Sequence, residues 1–307
     1  MQQKLKQFLA LNAVAAIVLA TATGSLAQSA WTPPIARTAR TPLAPKPHTG
    51  HNIFTGEAEV WLADAIEGSE CSSASIRNQF VGDYVSQVGH YVAEHSVAPA
   101  KEYEFIVTGD TGPDAWSVGG GRIYITIGML RLIENEDQLA AILAHEIAHD
   151  AFAHTGKTVT RQLFWMTGIK TVKDADDVAK ALAKLHARYA QQPVAKLGDT
   201  MLGFSRFDEL EADRAAFYNV YKAGYNPLAL SAALKLYAQR EKEEQGRKEY
   251  WRDEFLTMLF GSHPADTQRL LAISWEANFV KLPPHDSHFA SPAFDAMKQR
   301  VGKDQNR

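Results

Sequence analysis

His145, Glu146 and His149, in the run LAAILAHEIAHDAFAH from Leu139 to His154, are the residues whose types and spacing most directly suggest chemistry. On a helix, side chains four apart lie within ~40° of each other on one face, with Cβ atoms roughly 6 Å apart, so His145 and His149 can close on a single ion. Glu146 is one position round from His145. It stands beside the metal rather than on it, where a carboxylate can take a proton from a bound water. The pattern HExxH is a zinc motif, and two core histidines are the plain alternative. A catalytic zinc usually holds three protein ligands and an open water position, so the motif requires one more ligand. Glu209 and Asp213, in SRFDELEAD from Ser205 to Asp213, are four apart on a predicted helix and put two carboxylates on one face.

Ligand geometry is only as good as the elements that carry it. Asn135 is a good N-cap for the motif helix, Gln138 stands three residues on as in a capping box, and Glu136 and Asp137 set negative charge on the positive end of the dipole. Leu139, Ile142, Leu143 and Ile147 supply an apolar face, so the helix is expected to be buried. On this helical periodicity His154, five residues after His149, points off the metal face and reads as structural. Residues 56–67 and 74–95 also carry helical apolar spacing, with Ile76, Phe80, Tyr84, Val88 and Val92 recurring at three or four. Two β-type runs follow: Tyr103–Thr108, and Ala115–Val118 leading through Gly119, Gly120 and Gly121 into Arg122–Ile127. Three consecutive glycines suggest a sharp bend or a close backbone approach. If the last run is the free edge of the sheet, an extended peptide could add to it; an ordinary hairpin strand is the alternative. Later, 175–191 reads as a surface helix with Asp176 and Asp177 early and Lys184 and Arg188 late. The fold class is therefore α+β, mostly helical with a small sheet.

The start of the chain reads as a targeting segment, residues 1–27: Lys4 and Lys6, an apolar run from Phe8 to Ala22, and small residues at Ser25-Leu26-Ala27. The run is short for a membrane span, and an uncleaved anchor is the alternative. Without residues 1–27 the chain keeps 30 basic against 35 acidic side chains, since only two of its 32 Lys and Arg lie there. That mild acidity speaks against nucleic acid as a partner. Residues 28–52, rich in Pro, Thr, Arg and Ala, read as an extended linker in which His48 and His51 are solvated. Residues 53–294 form one domain and 295–307 a flexible tail. Cys71, the only cysteine, has no internal disulfide partner. His285 and His288 follow Pro283-Pro284 and read as an exposed loop, and the mixed charges of 240–254 as a solvated helix face.

HExxH followed some 60 residues later by S-R-x-x-E-x-E-A-D resembles the M48 gluzincin metallopeptidases. The lead-in GGGRIYITIGMLRLIENEDQLAAILAHEIAH, and Ser262-His263-Pro264 with Arg269, are similar to the same family's patterns, over roughly residues 53–275. The resemblance implies a zincin-type metallopeptidase domain with one Zn2+ held by His145, His149 and Glu209. It also implies Glu146 as the base and Asp213 as the carboxylate behind a ligand histidine. His263 falls where relatives have a histidine that approaches the metal. It would then be either a fourth ligand that silences the enzyme or a donor to the developing oxyanion, with a helix-capping role as the alternative. Ala153-His154 stands where the family often has Arg-His, which puts any role of that arginine in doubt. The membrane helices and helical repeats of other members are not seen in this sequence, so a compact soluble form is expected, with no membrane span after signal removal. The implied function is a periplasmic metalloendopeptidase acting on unfolded or misassembled envelope proteins. A zinc-stabilised chaperone that binds clients without cutting them, and a hydrolase of small substrates, are the other readings.

Overall fold

Helices α1 (Glu57–Glu70) and α2 (Gln79–Glu94) precede a small sheet. The structure is a computed structural model and describes residues 31–34, 36, 50–70, 79–191, 204–244, 267–280 and 291–303. In α2, Val81, Tyr84, Val85, Val88 and Val92 recur at helical spacing and are all buried, as a core-facing stripe requires. The strands are β1 (Glu104–Thr108), β2 (Ala115–Gly119) and β3 (Arg122–Thr126). Their order is β1-β3-β2, with β1 parallel and β2 antiparallel to β3. The reading of β3 as a free edge is thus corrected: β3 pairs on both sides, and β1 and β2 stand at the two edges of the described sheet.

Alternation along the strands divides the interior in two. Ile123 and Ile125 of β3, with Phe105 and Val107 of β1, face the larger core. Tyr124, with Trp116 and Val118 of β2, faces a second core built on α1 and two later helices, His154–Thr167 and Ala175–Ala190. Gly119, Gly120 and Gly121 all have positive φ, so the bend expected of the triple glycine is present. A Cβ on Gly121 would stand 2.1 Å from the Glu102 carbonyl oxygen, so a close backbone approach is present as well.

After the sheet come α3 (Ile127–Leu132), α4 (Glu136–Ala151), α5 (His154–Thr167), α6 (Ala175–Ala190), α7 (Arg206–Lys222), α8 (Ala229–Glu244), α9 (Thr267–Phe279) and α10 (Pro292–Lys303). The mostly helical α+β class expected from the sequence is what is found. Helix α4 carries HExxH and is buried from Glu136 to Asp150. Its start is clamped. The Asn135 side chain accepts from Gln138 N at 3.0 Å, while the Gln138 side chain accepts from Glu134 N at 2.7 Å, one residue earlier than a capping box would have it. Glu136 does more than meet the helix dipole: its carboxylate accepts from Trp31 Nε1 (2.9 Å), Tyr84 Oη (2.6 Å) and Tyr225 Oη (2.8 Å). Burial, and then the Glu136 charge, hold both phenols far above their ordinary pKa, so they remain donors.

Two stretches depart from expectation. Trp31, in the segment read as linker, packs edge-on against Tyr91 and hydrogen-bonds Glu136, so one aromatic ties that segment to the metal helix. The tail expected from 295 instead begins within α10. There Phe294, Met297 and Val301 are buried, and Lys298 Nζ donates to the carbonyls of Leu130, Arg131 and Ile133 at the end of α3. Among the described residues no helix is long and apolar enough to cross a membrane.

Candidate metal centre

The far end of α4 is fixed to the sheet through Asp150. One of its oxygens accepts from Gly121 N (3.0 Å) and Ser117 Oγ (3.3 Å), and the other pairs with Lys101 Nζ at 2.6 Å. The helix that carries the histidines is therefore held at both ends. Helix α7 is set by a capping box: Ser205 Oγ accepts from Asp208 N, and the Asp208 carboxylate accepts from Ser205 N at 2.8 Å. This start directs Glu209 and Asp213, four apart, at α4.

His145, His149 and Glu209 converge, each offering a ligand atom within 4.8 Å of the others. His145 Nε2 and His149 Nε2 stand 3.0 Å apart, and each is 3.5 Å from a Glu209 oxygen. Nitrogen and oxygen donors about 2.0–2.2 Å from a tetrahedral zinc lie about 3.3 Å from one another, so the spacing fits that ion. The donor chemistry agrees, because two imidazoles and a carboxylate are a zinc set. Glu146 is buried 2% exposed on the same helix and borders an apolar cavity shared with His145 and Arg269.

The groups behind the histidines fix their tautomers. His145 Nδ1 lies 3.1 Å from Asp213 Oδ1. Asp213 in turn takes two hydrogen bonds from Arg269, Nε at 2.7 Å and Nη2 at 2.6 Å, while Arg269 Nη1 lies 2.9 Å from Glu209 Oε2. Burial alone would raise the Asp213 pKa, but Arg269 and then His145 hold it below the usual carboxylate value. Burial would likewise lower His145, and its hydrogen bonds with Asp213 and Glu209 outweigh that and hold it above the usual imidazole value.

His149 is supported differently. Its Nδ1 is 3.0 Å from His154 Nδ1, and His154 Nε2 is 2.9 Å from Glu211 Oε2. With Nε2 of His149 turned to a cation as a lone pair, its Nδ1 carries the proton and donates to His154. His154 then carries its own proton on Nε2 and donates to Glu211. Phe204 stacks on the His149 ring, centroids 4.1 Å apart. His154 reaches this position because α4 stops at Ala151 and Ala153 takes a left-handed turn, φ 54, which carries the chain back.

The structure thus brings together His145, Glu146, His149, Glu209 and Asp213. His263, His285 and His288 lie outside the described residues, as does the segment 1–27. His51 is exposed and is not part of the cluster. His154 and Glu211 join the centre although helical periodicity turns His154 away from it; a histidine five residues after His149 and a glutamate two after Glu209 are the signal in the sequence.

A helix-borne HExxH joined by a glutamate from a second helix defines a gluzincin-type metallopeptidase centre. The chain belongs to Peptidase family M48, whose model matches residues 82–277, a span holding all three donors. Among its relatives, the beta-barrel assembly-enhancing protease of Escherichia coli (strain K12) is 23% identical over 241 residues, covering 76% of this chain and 47% of that protein. The mitochondrial metalloendopeptidase OMA1 of Schizosaccharomyces pombe is 27% identical over 163 residues, covering 52% and 44%. OMA1 of Saccharomyces cerevisiae is 25% identical over 180 residues, covering 58% and 48%. The chain spans somewhat less than half the length of these relatives.

Proposed function

We propose that this protein is a zinc-dependent metalloendopeptidase of the bacterial cell envelope. It is exported by residues 1–27 to the periplasm and hydrolyses peptide bonds in misfolded or misassembled envelope proteins. The observation that carries this reading is the convergence of His145, His149 and Glu209 with Glu146 beside them, at the wall of a cavity able to take part of a substrate. A zinc ion bound there supplies Lewis acidity toward a peptide carbonyl and lowers the pKa of a water to near ~7. Glu146 takes a proton from the water that attacks the carbonyl carbon and passes it to the amine nitrogen as the C–N bond breaks. Asp213 and the His154–Glu211 pair keep each ligand histidine in the tautomer and orientation the reaction needs. His263 belongs to the proposal as a residue that acts near the metal, and its substitution by alanine is expected to change activity while zinc content stays nearly intact.

The test is Glu146→Gln, with zinc content measured alongside cleavage of casein and of an unfolded outer-membrane protein. Zinc should remain bound and cleavage should stop. A Gln variant that still cuts removes Glu146 as the base. The name of the E. coli relative couples a protease to assembly, which favours a second reading in which this chain binds clients as a zinc-stabilised assembly factor with little or no proteolysis. Complementation of a deletion strain separates the two: rescue by Glu146→Gln as full as by wild type would assign the cellular role to binding.

A further inference from the structure

Helix α5 begins at the metal centre with His154 and carries Trp165 roughly 16 Å further along its axis. Trp165 is 68% exposed, more than any other large apolar side chain among the described residues, and Phe164 beside it is 43% exposed. Their rings meet edge to face, centroids 5.5 Å apart. Trp165 cannot be turned inward: Leu163 is fully buried in the second core, and a helix turns ~100° per residue, so Trp165 stands nearly opposite the buried face. The last turn is well fixed. Gly168, φ 74, closes the helix by donating to the Phe164 carbonyl, and Lys184 Nζ of α6 donates to the Thr167 carbonyl at 3.3 Å.

Charge around this tip runs against that of the chain. Residues 154–173 contain no Asp or Glu, and between 157 and 190 seven Lys and Arg stand against three Asp, a net of +4 where the whole chain is −3. The three acids, Asp174, Asp176 and Asp177, are gathered at the start of α6, where Asp174 is the cap. Lys157 and Arg161 are half-buried and feel the charge of Asp208, so the exposed lysines carry the effect. Lys170 Nζ lies 5.4 Å from the centre of the Phe164 ring, and Lys170, Lys173, Lys180 and Lys184 are all exposed.

We propose that the tip formed by α5 and α6 docks on the surface of an anionic phospholipid bilayer, with Trp165 and Phe164 entering the headgroup layer and the lysines meeting lipid phosphates. The proposal is independent of the hydrolytic reading. A projecting pair of rings offers a protein partner little to enclose, and lysine is depleted in protein–protein interfaces, whereas indole beside lysine is favoured at a bilayer surface. Two rings alone bind weakly and reversibly, so the basic rim is the second signal that makes the contact hold. Docked in this way, the metal centre stands one helix length from the bilayer.

The experiment sediments the zinc-loaded processed form, residues 28–307, with vesicles of phosphatidylcholine alone or of phosphatidylcholine containing phosphatidylglycerol; without residues 1–27 the apolar run at the start takes no part. Binding to the phosphatidylglycerol vesicles should be at least about tenfold tighter than to phosphatidylcholine, and should weaken as salt is raised. Phe164→Ser with Trp165→Ser, and separately Lys170→Glu with Lys173→Glu, should each weaken it at least about tenfold, while melting temperature and zinc content stay at the wild-type values. The lysine pair keeps the test decisive if the serine pair does not fold. No binding, equal binding to the two kinds of vesicle, or wild-type binding by the folded variants overturns the proposal. So does a loss of co-purification with an envelope protein in variants that still bind vesicles as wild type does, which would make the tip a protein-docking surface.

Discussion

His145 and His149 lie one helical turn apart and offer the same atom, Nε2, to the same point, yet the groups behind them share no chemistry. Behind His145 is a formal ion pair. The buried Asp213 carboxylate receives two hydrogen bonds from the Arg269 guanidinium, and the same guanidinium reaches Glu209. Behind His149 is a second imidazole, His154, with Glu211 beyond it. The first support is strong, charged and made by helices distant in sequence, α7 and α9. The second is relayed through an uncharged ring and depends on a local turn, with only Glu211 supplied from α7. The difference teaches which side should fail by unfolding and which by loosening the metal.

Removing Arg269 should have the largest effect. Arg269 is 1% exposed, Asp213 1% and Glu209 3%, so Arg269→Leu leaves buried carboxylates without their cation. Breaking a buried pair from one side costs about 3–5 kcal/mol, and a thermal or urea melt of the zinc-loaded protein should show most of the stability gone. Arg269→Lys keeps the charge but not the two-pronged geometry and should fall between. A melt of Arg269→Leu within about 1 kcal/mol of wild type would mean that the guanidinium is not what holds this side together.

The other side should yield a metal phenotype. His154→Phe preserves ring volume and ends the relay, leaving His149 Nδ1 without this acceptor; zinc affinity measured by chelator competition should fall about 10- to 100-fold. His154→Gln is the control, because its amide can accept from His149 and donate to Glu211, and it should recover part of the loss. Glu211→Gln keeps an acceptor for His154 and removes only the charge, so its loss should sit near the lower end, about tenfold. Equal zinc affinity in wild type and His154→Phe would reduce the relay to packing.

This contrast also explains what the sequence could and could not disclose. The metal helix was legible because Asn135, the acids at Glu136 and Asp137, and the apolar run through Ile147 all point to one element, and the β-type runs stood between clear turn residues. Glu209 over Asp213 as the ligand came from motif resemblance, since spacing alone leaves two equivalent carboxylates; the structure separates them by placing Asp213 on Nδ1 and Glu209 near both Nε2 atoms. His154 was read on the periodicity of a continuous helix, which would turn it away. The helix ends at Ala151, and no propensity rule anticipates a left-handed alanine two residues later. That β3 is central and β1 and β2 lie at the edges depends on strand order, which a linear reading does not contain. By contrast, α10 was signalled by Phe294, Met297 and Val301 at three and four, and composition-based reading of the terminus passed over it. Trp31 shows the converse: one anchoring aromatic inside a stretch whose average composition suggests no core.

The smallest expected effect tests whether the His149 side really depends on that turn. Ala153 has φ 54, where an L-residue sits at a cost of about 1–2 kcal/mol and glycine does not. Glycine loses roughly 0.5–1 kcal/mol through its greater freedom in the unfolded chain, so the two contributions nearly cancel. Ala153→Gly should therefore melt within about 1 kcal/mol of wild type, on the stable side if strain relief prevails. Its zinc affinity should be unchanged, because Glu211 and the buried start of α5 hold His154 independently of the Cβ at 153. A fall in zinc affinity comparable to that of His154→Phe would show instead that the strained alanine itself holds the second imidazole against the first. The support behind His149 would then be a property of the turn rather than of α7.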